Sequence, residues 1–203
     1  MLPRNSSMLT AALLAIAGAT GAAQAPPPAA PRPASTAVAV LAGGCYWGVE
    51  SVFRHVRGVV SVTSGYALPA GGLVSHRAEA VRLVYDPARI SYRQILDVFF
   101  SVVHDPTQLN RQGPDVGEEY RSAVFADGEA QRRLVRAVID SLGAARVYAR
   151  PIVTEIDALR GFQVVGEDQQ DYAAKHPTDP YIVANDAPKI EALRRRFPGL
   201  YRI

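Results

Sequence analysis

Apolar and polar residues follow two different periods along the chain after residue 35, and these periods predict its secondary structure. Segments that are wholly apolar, or that alternate every second residue, predict β-strands. They cover residues 36–41, 59–66, 78–85, 120–125 and 150–156. Segments in which apolar residues recur every three or four positions predict helices. They cover residues 47–56, 91–103 and 127–141, with two short helices near 167–174 and 188–197.

The order of these elements is β-α-β-β-α-β with further elements after it, which predicts an α+β fold. We expect a mixed sheet with helices packed on it, built on a ferredoxin-like βαββαβ core with appended C-terminal elements. One long polar stretch, residues 104–119, shows neither period. A loop of that length inside a compact domain is either disordered or functional, and its varied composition favours a functional loop.

The first 35 residues differ in composition from the rest of the chain. Residues 1–23 carry one basic residue, Arg4, then a short apolar run and small residues, which is the layout of a secretory signal peptide. Residues 24–35 are rich in Pro and Ala and predict an extended linker before a globular domain at 36–203. We therefore expect an exported protein, periplasmic or secreted, with no stable membrane association after cleavage. A membrane-anchored form that keeps its apolar segment is the alternative.

Charge and cysteine content narrow the classes of function. The formal net charge is +3, and the basic clusters lie on predicted amphipathic helices without interleaved aromatic residues, which argues against nucleic-acid binding. The chain has a single cysteine, Cys45, so it cannot form an internal disulfide. A lone cysteine is by default a small buried hydrophobic residue. A chemical role for Cys45 must therefore be argued from its neighbours.

Cys45 lies where a buried strand is followed by a helix. Gly43 and Gly44 precede it, and the helical pattern begins at Trp47. At such a position free backbone N–H groups and the helix dipole stabilise a thiolate, and they lower the pKa of a thiol from its usual value of about 8.5. The two glycines allow a sharp turn and leave the sulfur open. The motif therefore predicts a reactive thiol.

Short motifs along the chain resemble, in order, those of the A type of peptide methionine sulfoxide reductase. The family motif GGCFWGxE corresponds to GGCYWGVE at residues 43–50, and SGY corresponds to residues 64–66. The family motif HAEAVxVxYDP is matched at residues 78–81 and 85–87. The long central signature is matched at residues 104–107, 109–117 and 120–122, and PIVTEI at 151–156. Together they span residues 38–197, which would make 36–203 the catalytic domain.

The resemblance implies thiol-dependent reduction of protein-bound methionine-S-sulfoxide to methionine, and thereby repair of oxidised proteins; free methionine-S-sulfoxide is left open as a further substrate. It implies that Cys45 attacks the sulfoxide sulfur and becomes a sulfenic acid. It also implies that Glu79 is the acid that protonates or hydrogen-bonds the sulfoxide oxygen. The oxygen is a poor leaving group unless it is protonated, so this carboxyl has to stay neutral near pH 7, which burial beside aromatic residues achieves.

The resemblance also implies a set of supporting residues. Tyr66 and Tyr120 would donate hydrogen bonds to the sulfoxide oxygen, and Asp115 would support that network. Tyr46, which replaces the family's more common Phe, and Trp47 would form the apolar wall for the S-methyl group. Without the resemblance, each of these residues has an ordinary structural interpretation, such as a strand aromatic or a turn-forming acid.

The chain departs from the family pattern in three places. Tyr181 matches the Tyr of a frequent Tyr-Cys pair, but Ile182 follows it, so the resolving cysteine is absent. The sulfenic acid must then be reduced by an external thiol: a thioredoxin-like protein, a glutaredoxin or a small thiol. The loop at residues 67–77 is short and ends in Arg77 where the family has His. Residues 167–172 are one residue short and lack the family's His.

Two other functions remain open. Cys45 with His76, His104 or His176 would suit a cysteine hydrolase, although no histidine stands in a convincing motif. A non-catalytic exported binding module is the second alternative. For a reductase we expect oxidised proteins or peptides as substrates, no metal or bound cofactor, and a monomer. His104, His176 and Glu50 are then expected to have structural roles.

Overall fold

The computed structural model describes residues 35–71 and 76–203. The predicted signal peptide and nearly all of the predicted linker therefore lie outside the described residues, as does the tip of the 67–77 loop. Within the described part of the chain, no helix is both long and apolar enough to cross a bilayer.

The described residues form eight strands in two sheets. In chain order they are β1 Ala37–Gly43, β2 Val59–Pro69, β3 Ala78–Tyr85, β4 Arg111–Gln112, β5 Asp115–Val116, β6 Ser122–Phe125, β7 Glu155–Asp157 and β8 Leu159–Val164. Six of them form a sheet in the order β7-β6-β1-β3-β2-β8, and β4 pairs with β5 in a small hairpin.

The centre of the large sheet has the predicted ferredoxin-like topology. Strands β6, β1, β3 and β2 are neighbours in that order, and each pair is antiparallel. This is the order of a βαββαβ unit in which β3 lies between the two strands joined by the first helix. β7 extends one edge in parallel with β6, and β8 extends the other edge antiparallel to β2, which makes the sheet mixed. The predicted fold class is confirmed.

Five α-helices accompany the sheet in the described residues. They are α1 Tyr46–Arg54, α2 Tyr92–Val98, α3 Gly128–Ala144, α4 Tyr172–Lys175 and α5 Ala187–Arg196. Two π-helical turns adjoin them, Phe99–Val103 after α2 and Ile182–Asp186 before α5. Ser91 caps α2 through a complete capping box with Gln94, a pairing that satisfies N–H groups otherwise left free at a helix start.

The alternation along the central strands assigns their two faces to two apolar clusters. Leu41 and Val81 belong to the larger cluster, which includes the buried faces of α1, α2 and α3. The residues between them, such as Ala42 and Ala80, belong to a smaller cluster against which Phe162 of β8 packs. Both faces of β1 are therefore covered, which explains why its sequence is apolar throughout rather than alternating.

Several predicted boundaries shift in the structure. Strand β2 continues to Pro69, into the segment predicted as a loop, because residues 65–69 pair with β8. The predicted strand at 150–156 is reduced to β7, and β8 was not predicted. The helix predicted near 167–174 begins only at Tyr172, and the polar stretch 104–119 contains the β4–β5 hairpin and a 3₁₀ turn.

Candidate active site

Cys45 is the N-cap residue of α1 and follows β1 by one residue, Gly44. Gly44 has a φ of +93°, a conformation that L side chains rarely adopt. A Cβ there would lie 2.6 Å from Cβ of Gln112, so the β4–β5 hairpin packs directly against this backbone. The sharp turn predicted from the two glycines is present. It presents the half-buried thiol at the end of the sheet, beside the hairpin.

Glu79 lies close enough to the thiol for its charge to act on Cys45. Its Oε2 accepts a hydrogen bond of 3.1 Å from the backbone N–H of Tyr46, the residue that follows Cys45. Alternation along β3 turns Glu79 toward α1, because Ala78 and Ala80 face the smaller cluster. Tyr66 is its direct cross-strand partner in β2, so both side chains project from the same face.

The Glu79 carboxyl has the acid strength that the predicted chemistry requires. Its residue is only 7% exposed, and burial raises its pKa to about 7. The Tyr46 N–H opposes that rise, the charges of Asp115 and Glu119 add to it, and Arg77 lowers it. Burial disfavours the charged form of a carboxyl, so a substantial fraction of Glu79 stays protonated at neutral pH.

The thiol of Cys45, in contrast, does not have the lowered pKa expected from its position at a helix start. Burial, followed by the negative charge of Glu79, raises its pKa to about 12. The backbone N–H of Trp47 and the hydroxyl of Tyr181 lower it, and Asp186 raises it further. The expectation was wrong for this state of the site, because desolvation and two nearby carboxylates outweigh the N–H groups of the helix.

Asp115 lies in the long polar stretch, and Tyr120 follows its last residue. Tyr120 ends a 3₁₀ turn after the hairpin, and burial followed by the charges of Glu79, Asp115 and Cys45 raises its pKa to about 12. Asp115 in β5 accepts a hydrogen bond of 2.5 Å from the Tyr181 hydroxyl. The segment from β5 to Tyr120 thus brings a carboxylate and a phenol close to Glu79.

Aromatic rings enclose the side of the pocket formed by the start of α1. Trp47 stacks on Tyr172 with centroids 3.8 Å apart and an interplanar angle of 10°. The ring of Tyr181 lies edge-on to Trp47, with centroids 5.8 Å apart and an interplanar angle of 82°. Tyr46 packs edge to face against Trp47 at 6.3 Å and against Tyr66 at 6.1 Å. Such a group of rings offers an apolar surface suited to a methyl group.

The histidines are engaged elsewhere. His104 has its Nδ1 on the Phe99 carbonyl at 3.2 Å and its Nε2 on the Ser122 hydroxyl at 2.7 Å, and burial lowers its pKa to about 4. His76 pairs with Glu118, and the ring of His176 lies on Tyr172. His104 lies against Gly43, two residues before Cys45, but both of its ring nitrogens are engaged. The described residues therefore show no hydrogen-bonded Cys–His pair of the kind that a cysteine hydrolase uses.

Three residues around Cys45 and Glu79 make contacts that the sequence did not reveal. Tyr181 was noted only as half of a missing Tyr-Cys pair, yet its hydroxyl lies between Asp115 and the thiol. Arg77 was noted only as a departure from His, yet its guanidinium lies 4.2 Å from the Tyr66 ring centroid. Asp186 is 1% exposed and bonds Lys189 at 3.0 Å. The only sign of Asp186 in the sequence was an acidic residue among apolar neighbours just before α5.

Comparison with known proteins identifies the family to which the chain belongs. The family model for peptide methionine sulfoxide reductase matches residues 37–199. The peptide methionine sulfoxide reductase MsrA 2 of Mesorhizobium japonicum is 45% identical over 173 residues, which cover 80% of this chain and 88% of that relative. The reduced form of Mxr1 from Saccharomyces cerevisiae superposes with a TM-score of 0.63 at 30% identity, over 73% of this chain and 90% of that one. Mxr1 in complex with Trx2 superposes with a TM-score of 0.50 at 26% identity, over 70% of this chain and 88% of that one.

Proposed function

The chain belongs to the peptide methionine sulfoxide reductase family, and on this premise we propose that the residues around Cys45 form its active site. The protein is an oxidoreductase, a peptide-methionine (S)-S-oxide reductase, and it reduces methionine sulfoxide in a thiol-dependent reaction. One observation carries the assignment of the site: the residue after Cys45 donates its N–H to Glu79. The thiol and the acid that the reaction needs therefore lie in one pocket.

In the reductive half of the reaction, the sulfoxide oxygen is transferred to Cys45. Glu79, protonated in a substantial fraction of molecules because its pKa is about 7, gives its proton to the sulfoxide oxygen. The carboxylate left behind accepts the thiol proton of Cys45, and the sulfur attacks the sulfoxide sulfur. This attack forms an S–S bond, and the protonated oxygen stays on the methionine sulfur as a hydroxyl. The hydroxyl then moves from the methionine sulfur to the Cys45 sulfur as the S–S bond breaks. One S–O bond and the S–S bond are broken and one S–O bond is formed, which leaves Cys45 as a sulfenic acid and a new electron pair on the methionine sulfur.

The surrounding hydroxyls and rings stabilise this transfer. Tyr66 and Tyr120 donate hydrogen bonds to the oxygen while negative charge grows on it, which is where preorganised donors contribute most to catalysis. Asp115 holds the Tyr181 hydroxyl near the thiol. Tyr46 and Trp47 bound the slot for the S-methyl group. The high pKa of free Cys45 fits this scheme, because the thiol loses its proton only when Glu79 has passed its own to the substrate.

The sulfenic acid is then reduced from outside the chain. The sequence has one cysteine, so no internal disulfide is available. Two external thiols convert the sulfenic acid back to the Cys45 thiol, with release of water and formation of a disulfide in the reductant. The complex of yeast Mxr1 with Trx2 supports a thioredoxin-like protein as that reductant. A glutaredoxin or a small thiol is the alternative, and oxidised proteins or peptides are the proposed substrates of a monomeric enzyme.

The proposed location is outside the cytoplasm, because residues 1–23 have the layout of a signal peptide and 24–35 that of a linker. The reductant would then also be an exported protein or a thiol present there. Mass spectrometry of the protein purified from cells tests this directly. A mature N-terminus near residue 24 supports export, whereas an intact residue 1 on a cytoplasmic protein contradicts it.

The activity itself is tested with the two epimers of a methionine sulfoxide peptide and dithiothreitol. We expect reduction of the S epimer alone and no reduction by Cys45→Ser. In a single turnover without reductant, the wild-type protein should yield one methionine per chain and a sulfenic acid that dimedone labels at Cys45. If the folded protein reduces neither epimer, the result contradicts the proposed activity and favours the non-catalytic binding module.

A further inference from the structure

Glu50 is the largest buried charged side chain of α1, and its two oxygens face different surroundings. It is 1% exposed. Its Oε2 accepts hydrogen bonds of 3.0 Å from the Ser64 hydroxyl and of 3.0 Å from the backbone N–H of Asp171. Its Oε1 has no hydrogen-bond partner among the described residues, and Arg54 approaches it only to 4.0 Å. A buried carboxylate oxygen without a partner costs free energy, so its environment calls for an explanation.

The Oε2 atom holds a turn that reaches the aromatic pocket. Asp171 has a φ of +57°, a left-handed conformation that a non-glycine residue adopts at a cost. Its N–H is fixed by Glu50, and α4 begins at the next residue, Tyr172. The ring of Tyr172 stacks on one face of Trp47. Glu50 therefore holds in place, through one backbone bond, the turn that lays Tyr172 on Trp47.

Glu50 and Trp47 both line one small cavity. The cavity has a volume of about 40 Å³ and is bounded by α1 and by the residues around α4, including Glu50, Trp47 and Asp171. The indole Nε1 of Trp47 and the Oδ1 of Asp171 are, like Glu50 Oε1, buried without a hydrogen bond in the described part of the chain. Arg54 forms a close ion pair with Asp171 Oδ1, but not in hydrogen-bond geometry. One buried donor and two buried acceptors without hydrogen bonds thus belong to residues that line the same cavity.

We propose that Glu50 is the positioning residue of Trp47: its Oε2 fixes the turn that carries Tyr172, and its Oε1 holds the indole Nε1–H through a buried water in this cavity. A water accepts from the indole N–H and donates its two hydrogens to Glu50 and Asp171, which satisfies all three groups. A cavity of this size exceeds the roughly 10–15 Å³ that a water needs. A metal cation would bind the two carboxylates, but the partial positive charge of the indole N–H would repel it.

The inference deepens the proposed function, because it rests on Trp47 forming the wall for the S-methyl group. Stacking fixes the plane of an indole, but a hydrogen bond on its N–H edge also fixes its rotation within that plane. A displaced wall weakens substrate binding in the ground state and the transition state alike. Loss of the contact should therefore raise KM more than it lowers kcat.

Glu50→Gln tests the proposal, because glutamine is isosteric and keeps an oxygen for Ser64 and Asp171 while it turns a donor toward the cavity. Trp47 is the only tryptophan, so its indole N–H gives a single NMR signal. We expect that signal to shift and its hydrogen exchange to become about tenfold faster. KM for the S-sulfoxide peptide should rise about threefold, the size expected for loss of one hydrogen bond, with kcat within about twofold.

A double-mutant cycle with Trp47→Phe separates positioning from a general structural effect. Phenylalanine keeps a ring but has no N–H, so Glu50→Gln should leave KM nearly unchanged in the Trp47→Phe background. Asp97→Asn, an exposed carboxylate-to-amide change on α2, is the matched control and should alter neither the indole signal nor KM. A crystal structure should show a water about 2.7–3.2 Å from both Trp47 Nε1 and Glu50 Oε1.

The proposal is overturned by an unchanged indole signal in Glu50→Gln, by an equal rise of KM in both backgrounds, or by a dry or ion-filled cavity. Failure of the proposed function is a separate result, because it would appear as an inactive wild-type protein. The indole signal reports on the Glu50 contact whether or not the protein reduces sulfoxides.

Discussion

The backbone N–H of Tyr46 and the Oε2 of Glu79 lie 3.1 Å apart in a hydrogen bond that joins the start of α1 to β3. Because Tyr46 follows Cys45, this bond sets the separation between the nucleophile and the acid. It also stabilises the Glu79 carboxylate and so limits the rise of its pKa, which burial brings to about 7. One contact between remote segments therefore fixes the position of the acid and moderates the rise in its pKa that burial causes.

The first prediction concerns the acid. Glu79→Gln keeps the shape of the side chain and its place beside Tyr46, but it has no carboxyl proton to give. We expect kcat to fall by about 10²–10⁴-fold, the range for loss of a general acid. Wild-type activity should also decline as pH rises through about 7, since the neutral carboxyl is the active form. Steady-state kinetics across pH 5–9 measure both effects, and a fall below tenfold would contradict the role.

The second prediction concerns stability. The pKa of Glu79 is raised from 4.5 to about 7 on folding, so folding favours its neutral form. The stabilisation is complete below pH 4.5 and is lost as pH rises through 7, a change of about 3 kcal/mol. Glutamine cannot ionise, so Glu79→Gln should gain stability relative to wild type between pH 5 and 8.5. Urea unfolding at both pH values measures the difference, and a difference that does not change with pH would refute it.

The third prediction concerns the thiol. Asp186 is one of the charges that raise the Cys45 pKa, so Asp186→Asn should lower that pKa and increase the thiolate fraction. At pH 8 the rate of alkylation by iodoacetamide should rise roughly threefold to tenfold, since the thiolate is the nucleophile. Glu79→Gln should have the larger effect, because Glu79 is the stronger of the two charges. Asp97→Asn serves as the control, and equal rates in all four proteins would count against the electrostatic account.

The fourth prediction concerns Arg77, where the family has His. Its charge lowers the Glu79 pKa, so Arg77→Gln should raise that pKa and extend activity to higher pH. Arg82→Gln on β3, the strand that begins after Arg77, removes another guanidinium near a ring, that of Phe162, and should leave the pH profile in place. The pH dependence of kcat/KM measures the shift, and movement toward lower pH in Arg77→Gln would show that the sign is wrong.

The elements near the site differ in how far the sequence predicted them. The bounds of β3 were predicted to the residue, because its apolar alternation is strong and Pro87 follows soon after it. Strand β8 was missed because it is partly exposed and pairs only with the far end of β2, a contact between segments about 95 residues apart. The turn at Asp171 also depends on a remote contact, its bond to Glu50.

The sequence by itself determined the βαββαβ order, the position of Cys45 at a strand end and, through its ordered motifs, the family. These features are local, because period, turn residues and short motifs are properties of neighbouring positions. The tertiary structure alone decided that the Cys45 pKa is raised rather than lowered, that His104 faces Ser122, and that Tyr181 reaches Asp115. Desolvation and charge depend on which remote segments surround a group, and only the folded chain brings those segments together.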